Sequence, residues 1–269
     1  MAIILLASAA GSPGVTTTAI GLARCWQGDT LVVDADRQPT QAVLAGYLNG
    51  ARAGGRGLTG LARVHRERRL ISDELLHHCI PLGTDPDHRR LFLPGFSHPG
   101  SPALFGPIWA DLVAALAALA ETGQTVIVDA GRIGEGLPAP LVSQADAVLV
   151  VTRTSLRALA GVRLHLPHLQ QRIDSLATGT QLGLLLVGEG KPYGAKEISR
   201  QFATPVWASI AHQQRAARVW SDGFPAGRGF DHGPLVRSVR AAAVAIRNRI
   251  ERPELALGRP DTTGTWRKR

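Results

Sequence analysis

The chain has 269 residues, carries a formal net charge of +9 at neutral pH and has an isoelectric point near 10.8. Hydrophobic residues make up 45% of it, which suits one sizeable globular domain, and its two cysteines, Cys25 and Cys79, lack the spacing of a metal site. No apolar run reaches the roughly 18 residues of a membrane-spanning helix, so a cytoplasmic protein is expected.

The first half of the chain alternates short apolar runs with helical patterns. Residues 3–7 predict a buried strand, because no basic residue precedes the run, as one would in a signal peptide, and a turn follows it. A helix is predicted over residues 16–26 and a second buried strand over residues 30–34. Residues 40–80 are expected to be helical and loop-like, before a third strand at residues 91–94.

The second half continues the alternation of strands and helices. Leucine and isoleucine residues at helical spacing predict an amphipathic helix over residues 103–121. Further strands are predicted at residues 125–129, 147–151, 183–187 and 205–208, and a further helix at residues 156–176. This order indicates right-handed βαβ units. It therefore predicts a three-layer α/β fold with a mostly parallel central sheet of about seven to eight strands flanked by helices.

Ligands of such sheets gather at the carboxyl ends of the strands, where the first candidate site is a glycine-rich turn. Residues 11–17 read Gly-Ser-Pro-Gly-Val-Thr-Thr and follow the first predicted strand. Glycines let backbone N–H groups turn toward an anion, and the N-terminus of the next helix adds partial positive charge. The hydroxyl of Thr16 or Thr17 is placed to bind Mg²⁺.

Acidic residues follow two other predicted strands. Asp34 and Asp36 come at the end of the second strand, and Asp129 comes at the end of the fourth. Carboxylates in these positions are able to hold a metal ion through water molecules. The alternative is that all three are solvated acids at strand ends.

Five segments, in this order, resemble the MinD/ParA family of ATPases with a deviant Walker A loop. The resemblance runs from Ile3 to roughly residue 250 and predicts one domain over residues 1–252, followed by a basic tail at residues 253–269. The segments are the strand, loop and helix at residues 4–22, TLVVDADRQPT from Thr30, TVIVDAG from Thr125, ADAVLVVTRTSLRAL from Ala145 and PVWASIAHQQRAARVWSDG from Pro205.

The resemblance implies ATP or ADP with Mg²⁺ as the ligand. Matching residues assign the magnesium ligands to Thr16, Asp34 and Asp129, and they assign to Asp36 the catalytic task of orienting the attacking water. The implied nucleotide-binding residues are Gly11, Ser12, Gly14, Val15, Thr16 and Thr17.

The loop departs from the family pattern K-G-G-x-G-K-[ST] at both lysines. Val15 replaces the lysine that reaches the β- and γ-phosphates, and Ala10 replaces the lysine that crosses a dimer interface. The first lysine in the chain is Lys191, and Pro13 removes one N–H from the loop. Losing a charge-assisted phosphate contact costs on the order of 1.5–3 kcal/mol, or roughly 10- to 150-fold in affinity. We therefore expect weak or absent hydrolysis, as in a pseudo-ATPase.

The family resemblance implies a positioning or partition protein that forms a homodimer and binds DNA or a protein partner. Membrane binding is not expected, because the apolar face of the last helix is narrow, rich in alanine and without Phe or Trp. Two alternatives remain open. One is a nucleotide-independent scaffold or regulator of a pilus, secretion or division machine. The other is a true ATPase in which Arg37, Arg132 or Arg153 replaces the missing lysine.

Arginine supplies nearly all of the positive charge, which favours anionic partners or reflects a GC-rich genome. An apolar stripe near the C-terminal end predicts that the last helix packs on the core with its arginines solvated. The same arginines are also candidates for sequence-nonspecific contacts to DNA phosphates. The DNA-binding candidates are Arg215, Arg218, Arg237, Arg240, Arg247 and Arg249.

Overall fold

An eight-stranded sheet forms the centre of the computed structural model, which describes residues 2–11, 13–134 and 136–251. The strands are β1 (Ile3–Ser8), β2 (Thr30–Asp34), β3 (Ile80–Pro81), β4 (Arg90–Leu93), β5 (Thr125–Arg132), β6 (Ala147–Arg153), β7 (Gln181–Val187) and β8 (Val206–Ile210). Their order across the sheet is β3-β4-β2-β5-β1-β6-β7-β8. Each neighbouring pair is parallel except the antiparallel pair of β3 and β4.

Helices cover both faces of this sheet, so the predicted three-layer α/β fold is confirmed. They are α1 (Val15–Cys25), α2 (Gly57–Arg66), α3 (Ile71–Glu74), α4 (Ser101–Leu104), α5 (Trp109–Glu121), α6 (Ala139–Gln144), α7 (Leu156–Leu176), α8 (Ala195–Phe202), α9 (Gln214–Ser221) and α10 (Pro234–Glu251). Residues of α2, α5, α7 and α8 share one core cluster, and residues of α1, α9 and α10 share the other.

The central strand shows why its sequence is a continuous apolar run. Ile3 and Leu5 face the cluster that contains α5 and α7, whereas Ile4 and Leu6 face the cluster that contains α1 and α10. A strand with helices on both faces of its sheet needs apolar side chains on both faces, so the usual alternation of apolar and polar residues is absent. Because β1 lies between β5 and β6, the loop after it reaches the middle of the sheet edge.

The predicted helix over residues 103–121 is wrong at its start. Helix α5 begins at Trp109, after the short helix α4 at Ser101–Leu104 and a 3-10 turn at Gly106–Ile108. Leu104, which falls on the predicted apolar face, is 79% exposed. Gly106 and Pro107 account for the break, because proline lacks the N–H that a continuous helix needs.

Helix α10 packs on the core, as its apolar stripe predicts. Leu235, Val239, Ala242 and Ile246 are buried between α1 and β8, and Ile250 packs against the same cluster. The predicted basic tail at residues 253–269 lies outside the described residues. Among the helices described, none combines the length and the hydropathy of a membrane-spanning segment.

Candidate functional site

The loop between β1 and α1 has the backbone of an anion-binding turn. Gly11 and Gly14 have positive φ angles of 70° and 99°, which glycine adopts without strain. Gly14 is the N-cap of α1 and provides no side-chain hydrogen bond to the helix, so first-turn N–H groups are left for another acceptor. The turn thus joins the central strand to a helix, as predicted; Ser12, one of the predicted binding residues, lies outside the described residues.

Of the two positions that hold lysine in the family pattern, Val15 is buried and Ala10 is exposed. Val15 is 6% exposed and belongs to the core cluster beneath α1. Ala10 lies against Gly161 of α7, so closely that a side chain on Gly161 would collide with its Cβ. Neither position supplies a cation to the loop. Helix α7 can come close to the loop because the contacting residues, Ala10 and Gly161, are both small.

The three predicted magnesium ligands, Thr16, Asp34 and Asp129, lie together beside this loop. Asp34 and Asp129 are register partners on the neighbouring strands β2 and β5. The Thr16 hydroxyl donates a hydrogen bond to the Asp129 carboxylate, which also accepts one from the Gly131 backbone N–H at 3.0 Å. Sheet order therefore places one hydroxyl and two carboxylates at one point of the sheet edge.

Asp36 completes an acidic cluster with these residues. Its carboxylate lies directly over Gly131, which has a φ of 63°, and any side chain on Gly131 would collide with it. The Asp36 backbone N–H donates to Asp34 Oδ1 at 3.3 Å, and the Gln38 N–H donates to Asp36 Oδ1 at 2.8 Å. The predicted water-orienting residue thus lies within the same site as the predicted metal ligands.

Burial and mutual repulsion favour the protonated forms of two of these acids. Burial raises the pKa of Asp34 to about 7, and the charges of Asp129 and Asp36 add to the effect. As a whole residue Asp34 is half-buried, but its carboxyl group is packed against Gly95. Burial also raises the pKa of Asp129 to about 6, against the opposing hydrogen bonds from Thr16 and Gly131.

The donor set is compatible with magnesium. Asp34, Asp36 and Asp129 lie near one another, but in the described ranges no three or more His, Cys, Asp or Glu side chains are arranged as a complete set of metal ligands. A cation held here would therefore take the Thr16 hydroxyl, the Asp34 and Asp129 carboxylates and water. Mg²⁺ is usually bound in this way, with few protein ligands and several waters.

Arg153 is the arginine that the fold brings beside the glycine-rich loop. It stands at the end of β6 and lines a cleft of about 210 Å³ together with Pro13, Gly14 and Thr17. Arg37 instead donates a hydrogen bond to the carbonyl oxygen of Gly136, away from this cleft.

The far wall of the cleft was missed by the sequence analysis. His212, Gln213 and Gln214 line it, where the chain leaves β8 and enters α9. They lie shortly after the strand predicted at residues 205–208, which was an available signal, because that edge of a parallel sheet collects ligand-binding groups.

The two DNA-binding candidates on α9 differ in the contacts that their side chains make within the protein. Arg215 is exposed, whereas Arg218 forms an ion pair with Asp222 at 3.0 Å and stacks over the Phe224 ring at 3.8 Å. With Arg228 and Phe230, they line a surface concavity of about 460 Å³. This part of the surface is both basic and aromatic.

The candidates on α10 lie on two sides of the helix. Arg237, Arg240 and Arg247 share one side, because seven residues are close to two helical turns. Arg249 is nine residues beyond Arg240 and faces the other way, half-buried against the Trp207 ring, where burial lowers its pKa. The predicted arginines therefore do not form one continuous stripe.

Comparison with known proteins places the fold. No protein-family model and no curated protein matches the sequence. A ParA family ATPase from Chlorobium tepidum matches with a TM-score of 0.69 and 16% identity, covering 90% of this chain and 98% of that chain. The MinC:MinD cell division complex of Aquifex aeolicus matches with a TM-score of 0.67 and 13% identity, over 92% and 96%. MinD complexed with Mg-ADP from Pyrococcus horikoshii matches with a TM-score of 0.63 and 15% identity, over 91% and 95%. The structural neighbours are thus MinD/ParA-family ATPases, and the chain has their P-loop α/β fold.

Proposed function

We propose that this chain, which shares the fold of MinD and ParA, is a positioning or partition protein of that kind with a degraded nucleotide site. It acts by forming a homodimer and by binding DNA or a protein partner, with little or no ATP hydrolysis. The observation that carries the proposal is the composition of the site: the loop, Thr16 and the carboxylates are kept, whereas Ala10 and Val15 stand at the lysine positions.

Packing around the loop supports a weakened site. The side chain of Val15 is part of the core, and the exposed Ala10 has its Cβ close to Gly161 of α7, so neither side chain offers a cation to the loop. The cleft beside the loop, about 210 Å³, is below the roughly 300–1,000 Å³ of typical small-molecule pockets. Without its lysines, the loop offers an incoming triphosphate mainly backbone N–H groups.

Bound nucleotide would use the residues that remain. Thr16, Asp34 and Asp129 would hold Mg²⁺, and Asp36 would orient water for any residual hydrolysis. The Mg²⁺ ion would neutralise phosphate charge and, at the same time, the repulsion within the acidic cluster. The solved MinD complex with Mg-ADP supports this arrangement by fold.

Calorimetric titration with Mg-ATP, combined with light scattering to measure size, tests the proposal. We expect affinity at least roughly 10-fold below that of a MinD/ParA protein with both lysines, and negligible turnover, since the charge-assisted phosphate contacts are gone. A change of mass on adding ATP supports the positioning protein. A dimer that ignores ATP supports a nucleotide-independent scaffold or regulator of a pilus, secretion or division machine instead.

A true ATPase is the second candidate, and the position of Arg153 favours it. This guanidinium lies in the cleft beside Pro13 and Gly14, where a phosphate-binding cation is needed. In the same titration, Arg153→Ala would then abolish ATP binding and turnover, whereas Arg163→Ala, on α7 and outside this cleft, would not. Micromolar binding with ordinary turnover in the parent protein would rule out the degraded site.

DNA binding is expected to be nonspecific and strongly dependent on salt. Affinity for random duplex DNA should fall steeply between 50 and 200 mM salt, and each lost phosphate contact should lower the slope of log K against log salt by about 1. Exposed Arg215 and Arg237 are the variants to replace with alanine. Arg249→Ala is the matched control, because this side chain is half-buried on Trp207. Affinity that is independent of salt would exclude this mode of binding.

A further inference from the structure

A second cleft lies between α7 and the loop that follows β5. Its volume is about 530 Å³, and its lining includes Ile133, Gly136, Leu137 and Leu169. Ile133, Leu137 and Leu169 are buried and form an apolar floor. The described lining shares no residue with the cleft beside the glycine-rich loop, so the two are separate sites.

One face of α7 supplies the polar wall of this second cleft. His165, His168 and Arg172 line it and are spaced three and four residues apart, which places them on the same side of a helix. Gly161, one turn before His165, packs against Ala10. The cleft therefore begins close to the start of the glycine-rich loop.

The described lining of the second cleft is basic. Across the described ranges, its lining contains no Asp or Glu, and Arg172 forms no ion pair. Gly136 leaves room for the guanidinium, since a Cβ there would come within 3.0 Å of Arg172 Nη1. Arg37 donates to the Gly136 carbonyl oxygen and ties this loop to the segment after β2.

We propose that the second cleft binds the phosphate monoester of a small organic molecule. The guanidinium of Arg172 presents paired N–H donors that match phosphate oxygens, and the imidazoles of His165 and His168 add donors beside it. The apolar floor accepts the organic part of the ligand. The volume lies within the roughly 300–1,000 Å³ of small-molecule pockets.

Calorimetric titration of the full chain with phenyl phosphate and with inorganic phosphate tests this site. Phenyl phosphate is expected to bind more tightly, because its ring covers Leu137 and Leu169. Arg172→Ala should weaken binding of both probes by at least roughly 10-fold, the loss expected for a charge-assisted contact. Arg172→Lys should give an intermediate loss, because it keeps the charge without the fork.

Two control variants separate this cleft from other phosphate sites. Arg163→Ala changes the same helix on its opposite side and should leave binding intact. Arg153→Ala removes the cation beside the glycine-rich loop and should also leave it intact. Equal affinity for Arg172→Ala and the parent, or loss of phosphate binding in Arg153→Ala alone, would overturn the proposal. Binding of inorganic phosphate without tighter binding of phenyl phosphate would contradict the proposal that the ligand has an organic part.

Discussion

Replacing Asp34 with asparagine is expected to stabilise the protein by a few kcal/mol at pH 8 and to flatten its dependence on pH. Burial raises the pKa of Asp34 in the folded protein to about 7, whereas an unfolded Asp titrates near 3.8. Between these two pKa values, the Asp34 carboxyl group of the native state therefore holds a proton that the unfolded chain releases. At roughly 1.4 kcal/mol per unit, the shift corresponds to about 4 kcal/mol as an upper figure.

The sign of this effect follows from proton linkage. Well below pH 3.8 the Asp34 carboxyl group is protonated in both the folded and the unfolded state, so its contribution to stability is fully present. Between pH 4 and about 7 the unfolded state binds fewer protons than the native state, so stability falls as pH rises. Above the folded pKa the loss is complete, and asparagine avoids it because it never ionises.

Urea unfolding at pH 5 and pH 8 measures the effect. The parent should be less stable at pH 8, and Asp34→Asn should lose most of this difference. Asp129→Asn should show a smaller change, because its pKa is raised only to about 6. Asp87→Asn is the matched control on the exposed surface. Equal pH slopes for Asp34→Asn and the parent would contradict the prediction.

Magnesium provides an independent readout of the same cluster. If Thr16, Asp34 and Asp129 hold Mg²⁺, adding the ion at pH 8 should raise the stability of the parent by mass action. The Asp34→Asn variant should respond less, because it has lost a ligand and its repulsion is already relieved. An equal response of the two proteins would place magnesium elsewhere.

Val15→Lys is expected to raise affinity for Mg-ATP by roughly 10- to 150-fold, the value of one charge-assisted phosphate contact. Val15 is the first residue of α1, so a lysine there starts beside the glycine-rich loop. Its aliphatic stem can stay partly on the core while the ammonium group reaches the phosphates. The loop backbone and the carboxylates needed for the remaining contacts are already in place.

Isothermal titration with Mg-ATP compares Val15→Lys with Val15→Met. Methionine adds length without charge, so it controls for the disturbed packing of a residue that is 6% exposed. Lysine should improve binding and methionine should not. Equal affinities of Val15→Lys and Val15→Met for Mg-ATP would show that the absent cation does not limit nucleotide binding. The N–H that Pro13 lacks would then be the next feature of the loop to test.

Much of the fold could be predicted from local pattern. The apolar runs at residues 3–7, 30–34 and 125–129 became β1, β2 and β5, because a strand covered on both faces must be apolar throughout. Glycines and acids directly after these runs located the candidate site, since parallel strands end at one edge. Short elements without such runs, such as α6 and β3, went unpredicted.

Spatial proximity required the three-dimensional structure. Sheet order puts Asp34 beside Asp129, and burial raises the pKa of both. The fold also brings Arg153 rather than Arg37 to the cleft by the loop. Packing also places Arg249 against the Trp207 ring, and it forms the cleft between α7 and the loop after β5. A sequence records which residues an element contains, but contacts between distant elements depend on how those elements pack. Burial and charge interactions, which set the chemistry of the site, arise only from that packing.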